Sequence, residues 1–423
     1  MQKLLIKNGT VVTPTQTLNT SILIENGKIA KIGDITDTET KGAKIIDATN
    51  LHVFAGFIDM HVHLREPGQE YKEDLESGAR AAIKGGITTI ACMPNTGPAL
   101  DIPALITFIK AREQQVNLCK VHPIGAVTKG QKGNELAELG LMKRAGAVAF
   151  SDDGADIDDS FVMRSALEYA KSQDALIILH AEDKALSTGG DINEGYSSTI
   201  SGLKPIPRAA EEIATARAIQ LLEYFGDRLH IAHVSTKGAV ELIRNAKKRG
   251  LRVTAETCPH YFTLTDEATL TFDTNTKCNP PLRTQSDIDA IITALRDGTI
   301  DCIATDHAPH HIDDKQMEYA KAAFGISGLE TSFALSYTAL VKSGKLSLNQ
   351  LTKLLTHNAK QILRLDNSGI LEVGSVADIV VVDLNNSYKI DKTKFASKGK
   401  NTPYHGTDVF GEVKVVIVDG EIK

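Results

Sequence analysis

Nowhere in this chain do about 18 apolar residues follow one another, the length a helix needs to cross a bilayer, so no membrane span is expected. Met1 to Val12 carries Lys3 and Lys7 but lacks the apolar stretch of a secretory leader, and a cytoplasmic protein is expected. Cysteine is scarce: Cys92, Cys119, Cys258, Cys278 and Cys302 are odd in number and show no C-x-x-C spacing. A thiolate zinc site needs sulfurs converging in pairs, so neither that nor a disulfide framework is expected. Lys and Arg (47) are outnumbered by Asp and Glu (53), and no long basic block stands out. Phosphate backbones are bound by such blocks, so nucleic acid is not the expected partner. The short clusters Lys129 to Lys132 and Lys247 to Arg249 read as solvated faces. What remains, 423 residues at 42% hydrophobic and 24% charged with 13 Pro, is the composition of a globular protein able to bury a large core.

Both ends of the chain read as strands. Near the start, Ser21 to Glu25 and Lys28 to Ile32 flank Asn26-Gly27, a dipeptide that tolerates positive φ and signals a hairpin. Near the end, Ala377 to Leu384 and Val413 to Val418 are apolar, and the latter runs into Asp419-Gly420. Neither block can build a core alone, so residues 1–53 and 366–423 are expected to pair into one small β-sandwich. Between them, residues 54–365 alternate short apolar runs with helix-period stretches such as Lys72 to Lys84, Pro103 to Gln115, Ala209 to Phe225 and Ala239 to Arg249. The runs are Phe54 to His63, Thr88 to Pro94, Lys120 to Val127, Ala147 to Asp152, Leu176 to Glu182, Leu229 to Ser235, Arg252 to Cys258 and Ile300 to His307. Eight buried strands with crossover helices predict a parallel (β/α)8 TIM barrel. The alternative, a doubly wound sheet, is disfavoured because no run leads into a G-x-G-x-x-G turn.

Polar residues gather where these runs finish. His61 and His63 end run one, Asn95 follows run two, Asp153 follows run four, His180 ends run five, His233 lies in run six and Asp306 ends run eight. Strand ends of a barrel share one rim, so these side chains are expected to converge there. His61 and His63 are two apart and point to one face of a strand. Four imidazoles and two carboxylates are costly to bury together unless a cation accompanies them. Imidazole and carboxylate ligands without thiolate fit Zn²⁺ best, with Mn²⁺, Co²⁺ and Fe²⁺ also admitted, and the ligand count suggests two ions.

Asp59-Met60-His61-Val62-His63-Leu64-Arg65-Glu66-Pro67-Gly68 and Ala304-Thr305-Asp306-His307-Ala308-Pro309-His310 resemble signatures of the dihydroorotases, within the amidohydrolase superfamily. Cys92-Met93-Pro94-Asn95-Thr96 and Phe150-Ser151-Asp152-Asp153-Gly154 fall where that family has further motifs, and the resemblance spans nearly the whole chain. It implies zinc held by His61, His63, Asp153, His180 and His233, with Asp153 bridging two ions and Asp306 acting as acid/base at the metals. It also implies substrate contacts from Arg65, Asn95 and His310 to a carboxylate, and from Asn279 and the Phe324–Gly325 backbone. The implied reaction is reversible hydrolysis of dihydroorotate to N-carbamoyl-L-aspartate in pyrimidine biosynthesis. The residues alone leave Asp152 and Asp153 equally able to face inward; the family register favours Asp153, and the other is expected to cap the next helix or lie on the mouth.

Related dihydropyrimidinases, hydantoinases and allantoinases usually bridge their metals with a carboxylated lysine from strand four, and Ala147 to Gly154 contains no lysine. One departure is that Ala322-Ala323-Phe324-Gly325 stands where the family often has Ala-Pro-Phe-Gly. His310 to Gly325 is the expected lid. His52, His122, His230, His260, His311, His357 and His405 read as surface or satisfied core residues, His307 as structural support, and Asp152 to Asp159 lacks the EF-hand spacing. Homodimerisation or association with aspartate transcarbamoylase is compatible with the resemblance. A second class of function also stays open, a non-catalytic structural partner of that enzyme, against which the complete ligand set argues. A related cyclic amidase is the third alternative.

Overall fold

Eight parallel strands form the centre of the molecule, seen in a computed structural model that describes residues 3–366 and 368–423. They are β1 (Phe57–Val62), β2 (Ile87–Cys92), β3 (Lys120–Gly125), β4 (Ala149–Ser151), β5 (Ile177–Leu179), β6 (Leu229–Ile231), β7 (Val253–Thr257) and β8 (Cys302–Ile303), hydrogen-bonded in that order. The ring is closed beyond β8, where Val62 bridges His307 in parallel and the His63 N–H donates to the His307 carbonyl at 2.9 Å. Helices Leu75–Lys84, Pro103–Val116, Arg208–Phe225 and Lys237–Lys248 cross between strands where helix-period stretches were expected, and Ser160–Ser172 and Gln285–Asp297 do so as well. This is the expected (β/α)8 barrel. None of its helices among the described residues is long and apolar enough to cross a membrane.

Alternation along the strands sorts side chains into two layers. Phe57, Phe150, Ile177, Leu179, Leu229 and Ile231 pack outward with the helices, while Ile58, Met60, Ile124, Ala149, Ile178 and Cys302 fill the barrel. In β1 the pairing shifts: Asp59 to Val62 spans three steps against two from Ile90 to Cys92. Such a bulge re-aims side chains. It lets His61 follow the inward-facing Met60 on the same side, so the barrel floor is apolar and the rim polar.

Both chain ends share the second sheet. Strands Lys3–Val12, Thr17–Glu25 and Lys28–Gly33 come from the start, and Ile379–Lys389, Asp408–Val418 and Glu421–Ile422 from the end. They meet where His52–Ala55 pairs with Lys3–Val12 on one side and Ile379–Lys389 on the other. Its hydrogen bonding runs along one path, from which Lys44–Asp47 branches by pairing with Lys3–Val12, and the sheet folds around Leu4, Ile6, Ile22, Ile24, Val53, Ile379 and other buried apolar residues. The Asn26-Gly27 and Asp419-Gly420 turns both carry positive φ on both residues (52°, 78° and 52°, 77°). Phe54 and Ala55, expected to open the first barrel strand, belong to this sheet by pairing with Val380 and Ile379.

Gly56 separates the two sheets. Its N–H donates to the Asp378 carbonyl at 2.8 Å, and a Cβ there would lie 2.1 Å from Thr88 Oγ1 and 2.3 Å from Thr88 Cγ2, both buried. Gly56→Ala is therefore expected to destabilise the chain by about 1–3 kcal/mol through overpacking. Adding Thr88→Ala should recover most of that loss in equilibrium denaturation; an equal loss in the double variant would mean the strain lies elsewhere.

Candidate active site

His61, His63, Asp153, His180, His233 and Asp306 converge at the carboxyl ends of β1, β4, β5, β6 and β8, and all are buried. Asp153 is central: its Oδ1 lies 3.3 Å from His61 Nε2, 3.4 Å from His233 Nε2 and 3.7 Å from His180 Nδ1, and its Oδ2 lies 3.4 Å from His63 Nε2. Asp306 Oδ1 is 2.9 Å from His63 Nε2 and 3.5 Å from His61 Nε2. Asp152 points away from this group. Its Oδ1 accepts from the Val127 and Thr128 N–H groups at 2.9 and 3.0 Å, and Thr128 Oγ1 donates to its other oxygen. Phe150 packs outward, so the alternation continued past β4 turns Asp152 outward and Asp153 inward. Asp152 thus ties down the loop after β3; the following helix is capped instead by Asp159.

The tautomers of the first two histidines follow from their outer partners. Glu256 is fully buried on β7, and its Oε1 lies 2.6 Å from His61 Nδ1. Asn95 Oδ1 lies 2.7 Å from His63 Nδ1. Both are acceptors, so each Nδ1 carries the proton and each Nε2 presents a lone pair to the carboxylates. Lone pair facing lone pair in a buried site is unstable unless a proton or a cation stands between them. His61 Nε2 and Asp153 Oδ1 are among the buried atoms without a hydrogen-bond partner. Burial opposes a charge on His61, yet Asp153 and Glu256 raise its pKa well above the usual imidazole range. Burial likewise opposes charge on His180, but Asp153 and Glu182 raise it to about 10.

These donors fit a divalent metal. His61, His63 and Asp306 bring one ligand atom each within 4.8 Å of one another, as do His61, Asp153 and His233. A third trio, His230, Glu256 and Cys302, lies deeper. There burial holds the Cys302 thiol well above its usual pKa, which leaves it a poor ligand.

Positive φ marks three site residues that are not glycine: Arg65 (61°), His233 (34°) and Asp306 (46°). Such backbone costs about 1–3 kcal/mol per residue and persists where surrounding structure enforces it. The Arg65 guanidinium is buried, with Nε donating to the Pro309 carbonyl at 3.3 Å and Nη2 3.5 Å from His310 Nε2. It has no carboxylate ion-pair partner among the described residues. His310 Nε2 donates to the Phe324 carbonyl at 2.8 Å. Burial and the charges of Arg65 and Lys72 push the His310 pKa down to about 2, so its ring is neutral.

Other expected substrate contacts are engaged within the protein. Asn279 Nδ2 donates to Glu182 Oε1 at 3.1 Å, and Glu182 Oε2 lies 3.3 Å from His180 Nε2. Burial pulls Glu182 up, but His180 and Asn279 hold it down to about 2. The Gly325 N–H donates to the Lys277 carbonyl at 2.8 Å. The segment from His310 to Gly325, the expected lid, is anchored by buried Lys315, whose Nζ donates to the Ala323 and Gly325 carbonyls at 2.7 and 3.2 Å. The Ala323 N–H donates to the Asp314 carbonyl at 2.9 Å, a bond that proline could not make.

Sequence reasoning passed over Glu256 and Glu182, and it read His260 as a surface or satisfied core residue, which the structure corrects. His260 follows β7 at the same rim, is 3% exposed, and its Nε2 has no partner. Burial lowers its pKa to about 4, with Asp306, His233 and His61 its nearest charged influences. The available signal was its place just beyond the seventh run. His230, read as a satisfied core residue, is buried with Nδ1 2.8 Å from Thr254 Oγ1 and Nε2 3.2 Å from Glu256. His307 supports the frame, with Nδ1 accepting from the Gly328 N–H at 3.1 Å and Nε2 3.3 Å from Glu73.

The amidohydrolase family model matches residues 52–423. A dihydroorotase of Ruminiclostridium cellulolyticum is 52% identical over 420 residues, covering 99% of this chain and 97% of that protein. A dihydroorotase of a Thermoanaerobacter species is also 52% identical, over 422 residues, covering 100% of this chain and 97% of its own. Among solved structures, an L-hydantoinase (dihydropyrimidinase) from Arthrobacter aurescens superposes with a TM-score of 0.88 at 26% identity, covering 100% of this chain and 96% of its own. A dihydropyrimidinase from Brevibacillus agri gives 0.85 at 26% identity, covering 100% and 95%. With a histidine and carboxylate cluster on a barrel rim and full-length kinship at about half identity, this chain belongs to the amidohydrolase family of hydrolases, among its dihydroorotases.

Proposed function

We propose that the chain hydrolyses the cyclic amide of dihydroorotate reversibly to N-carbamoyl-L-aspartate, a step of pyrimidine biosynthesis. The observation that carries the substrate choice is Arg65: a buried guanidinium without a carboxylate partner, beside the rim, suits a substrate carboxylate. Dihydropyrimidine and hydantoin rings lack that group. Asp153, rather than a lysine, at the centre of the cluster supports the same choice.

His61, His63, Asp153, His180, His233 and Asp306 would hold the metal, with zinc favoured by donor type and two ions by donor number. A divalent metal, when bound, supplies a water ionised near neutral pH and a Lewis acid for the amide carbonyl. Arg65 grips the substrate carboxylate with a planar fork, and the neutral His310 adds polarity without charge. Burial opposes ionisation of Asp306, but His63 keeps its pKa below the usual carboxylate value, so it begins as a base. It takes a proton from the attacking water as the water oxygen bonds the carbonyl carbon, and delivers it to the ring nitrogen as the C–N bond breaks; the reverse transfer serves ring closure. Asn95, Glu182 and Glu256 orient His63, His180 and His61, while Asn279 and the Phe324–Gly325 turn shape the substrate side. On this reading the catalytic unit, expected over 54–365, begins after Gly56 because Phe54 and Ala55 pair in the terminal sheet. Residues 1–53 with 366–423 make up the rest of the flanking unit, of which 1, 2 and 367 lie outside the described residues.

Asp306→Asn should lower kcat by about 10²–10⁴-fold while metal content, measured by elemental analysis, stays near native, because the other ligands and the Asn amide oxygen remain. Near-native turnover would remove Asp306 from proton transfer. Arg65→Lys should raise KM for dihydroorotate roughly tenfold or more and leave dihydrouracil and hydantoin as poor as before. An unchanged KM would place the substrate carboxylate elsewhere. Glu256→Gln should weaken metal retention by about 10–100-fold in chelator competition, since the imidazole loses a charged partner; native retention would leave Glu256 a packing residue only.

A further inference from the structure

At the end of the barrel opposite the rim lies a cavity of about 720 Å³. It is lined by the residues that lead into the strands: Leu176 before β5, Arg228 before β6, Arg252 before β7, and Ile300 and Asp301 before β8. That volume suits a small organic molecule. Leu176, Leu295, Leu354 and Ile362 lie on an apolar side, and neutral polar residues such as Gln350 and Asn358 share the rest of the lining with charged ones.

The charges do not balance. Arg228, Arg252, Arg296, Lys353 and Arg364 stand against Asp297 and Asp301, in a chain whose net charge is −6. Both acids are already engaged from outside the lining, Asp297 by Arg244 at 3.1 Å and Asp301 by Lys247 at 2.7 Å. Arg252 pairs with Asp227 at 2.7 Å and Arg364 with Asp174. Arg228, Arg296 and Lys353 have no carboxylate partner among the described residues. Arg228 is the telling one: it is half-buried, its Nε has no hydrogen-bond partner, and Nη1 reaches only the Ile362 carbonyl at 3.4 Å. Burial and the adjacent Arg364 charge both lower its pKa. Several guanidiniums around one cavity match the fork geometry by which arginine binds phosphate.

We propose that this cavity binds a small phosphate-bearing molecule, with Arg228, Arg296 and Lys353 holding the phosphate and the leucine wall available to an organic portion. The assignment is independent of the chemistry at the rim. Because β5 to β8 run from this cavity to His180, His233, Glu256 and Asp306, an occupant would contact the feet of the strands that carry the site.

Calorimetric titration of the full-length, metal-loaded protein with adenylate, uridylate and inorganic pyrophosphate tests it. Saturable binding that weakens with salt is expected, and Arg228→Gln should weaken it by about tenfold or more. Should Arg228→Gln fail to fold, the exposed pair Arg296→Gln with Lys353→Gln gives the same test, with kcat for dihydroorotate unchanged. Nucleotides binding more tightly than pyrophosphate would identify an organic phosphate ester as the occupant; equal affinity would identify the phosphate group alone as what the cavity recognises. Absence of saturation by about 10 mM for all three, or equal affinity in wild type and variants, would overturn the proposal.

Discussion

Two imidazole lone pairs aimed at two carboxylates, out of reach of bulk water, form the constraint on which the site depends. Glu256 and Asn95 impose it from behind by accepting hydrogen bonds from the Nδ1–H groups of His61 and His63. Buried charges that cannot be hydrated cost several kcal/mol each, so the cluster needs a positive charge at its centre. Extra protons answer that need poorly for catalysis, because a protonated imidazole cannot ligate. A divalent cation answers it and brings the reagent that amide hydrolysis requires.

The closed barrel makes such crowding sustainable. Neighbouring strands set the spacing of side chains from β1, β4, β5, β6 and β8, and the apolar floor of Ile58, Met60, Ile124 and Ile178 leaves the rim group no room to sink away. Arg65, His233 and Asp306 keep left-handed backbone within the same frame. On the substrate side, Lys315 and buried Lys277 brace the segment carrying Phe324 and Gly325: Lys277 Nζ lies 3.0 Å from Asp191 and 2.9 Å from the Tyr319 carbonyl. Hydrogen bonds and ammonium donors thus do in this loop what a proline does by covalent restraint, and they hold the neutral His310 against Arg65.

Much of this was legible before any coordinates. Eight apolar runs with intervening amphipathic stretches implied the barrel, and the Asn26-Gly27 turn implied its hairpin, because chain chirality and side-chain periodicity act locally. The rim followed by one further step, since parallel strands all point their ends the same way. Glu256 and Glu182 stayed hidden because a charged residue near an apolar run looks the same whether it faces a histidine or solvent. His260 was hidden for a similar reason, sitting in a short helical turn after β7 with no pairing to betray its direction.

The choice between Asp152 and Asp153 shows where local information stops. Alternation decides it only once Phe150 is known to face the helices, and that depends on packing with residues far away in the chain. The bulge that turns His61 inward beside Met60 is likewise a property of the β1–β2 pairing, not of either strand. Sequence alone determined which residue types reach the rim and the architecture that collects them, because both arise from short-range geometry repeated eight times. Tertiary structure alone decided which nitrogen, which oxygen and which aspartate faces the centre, because those are set by partners dozens to hundreds of residues apart that only the closed barrel brings within hydrogen-bond reach.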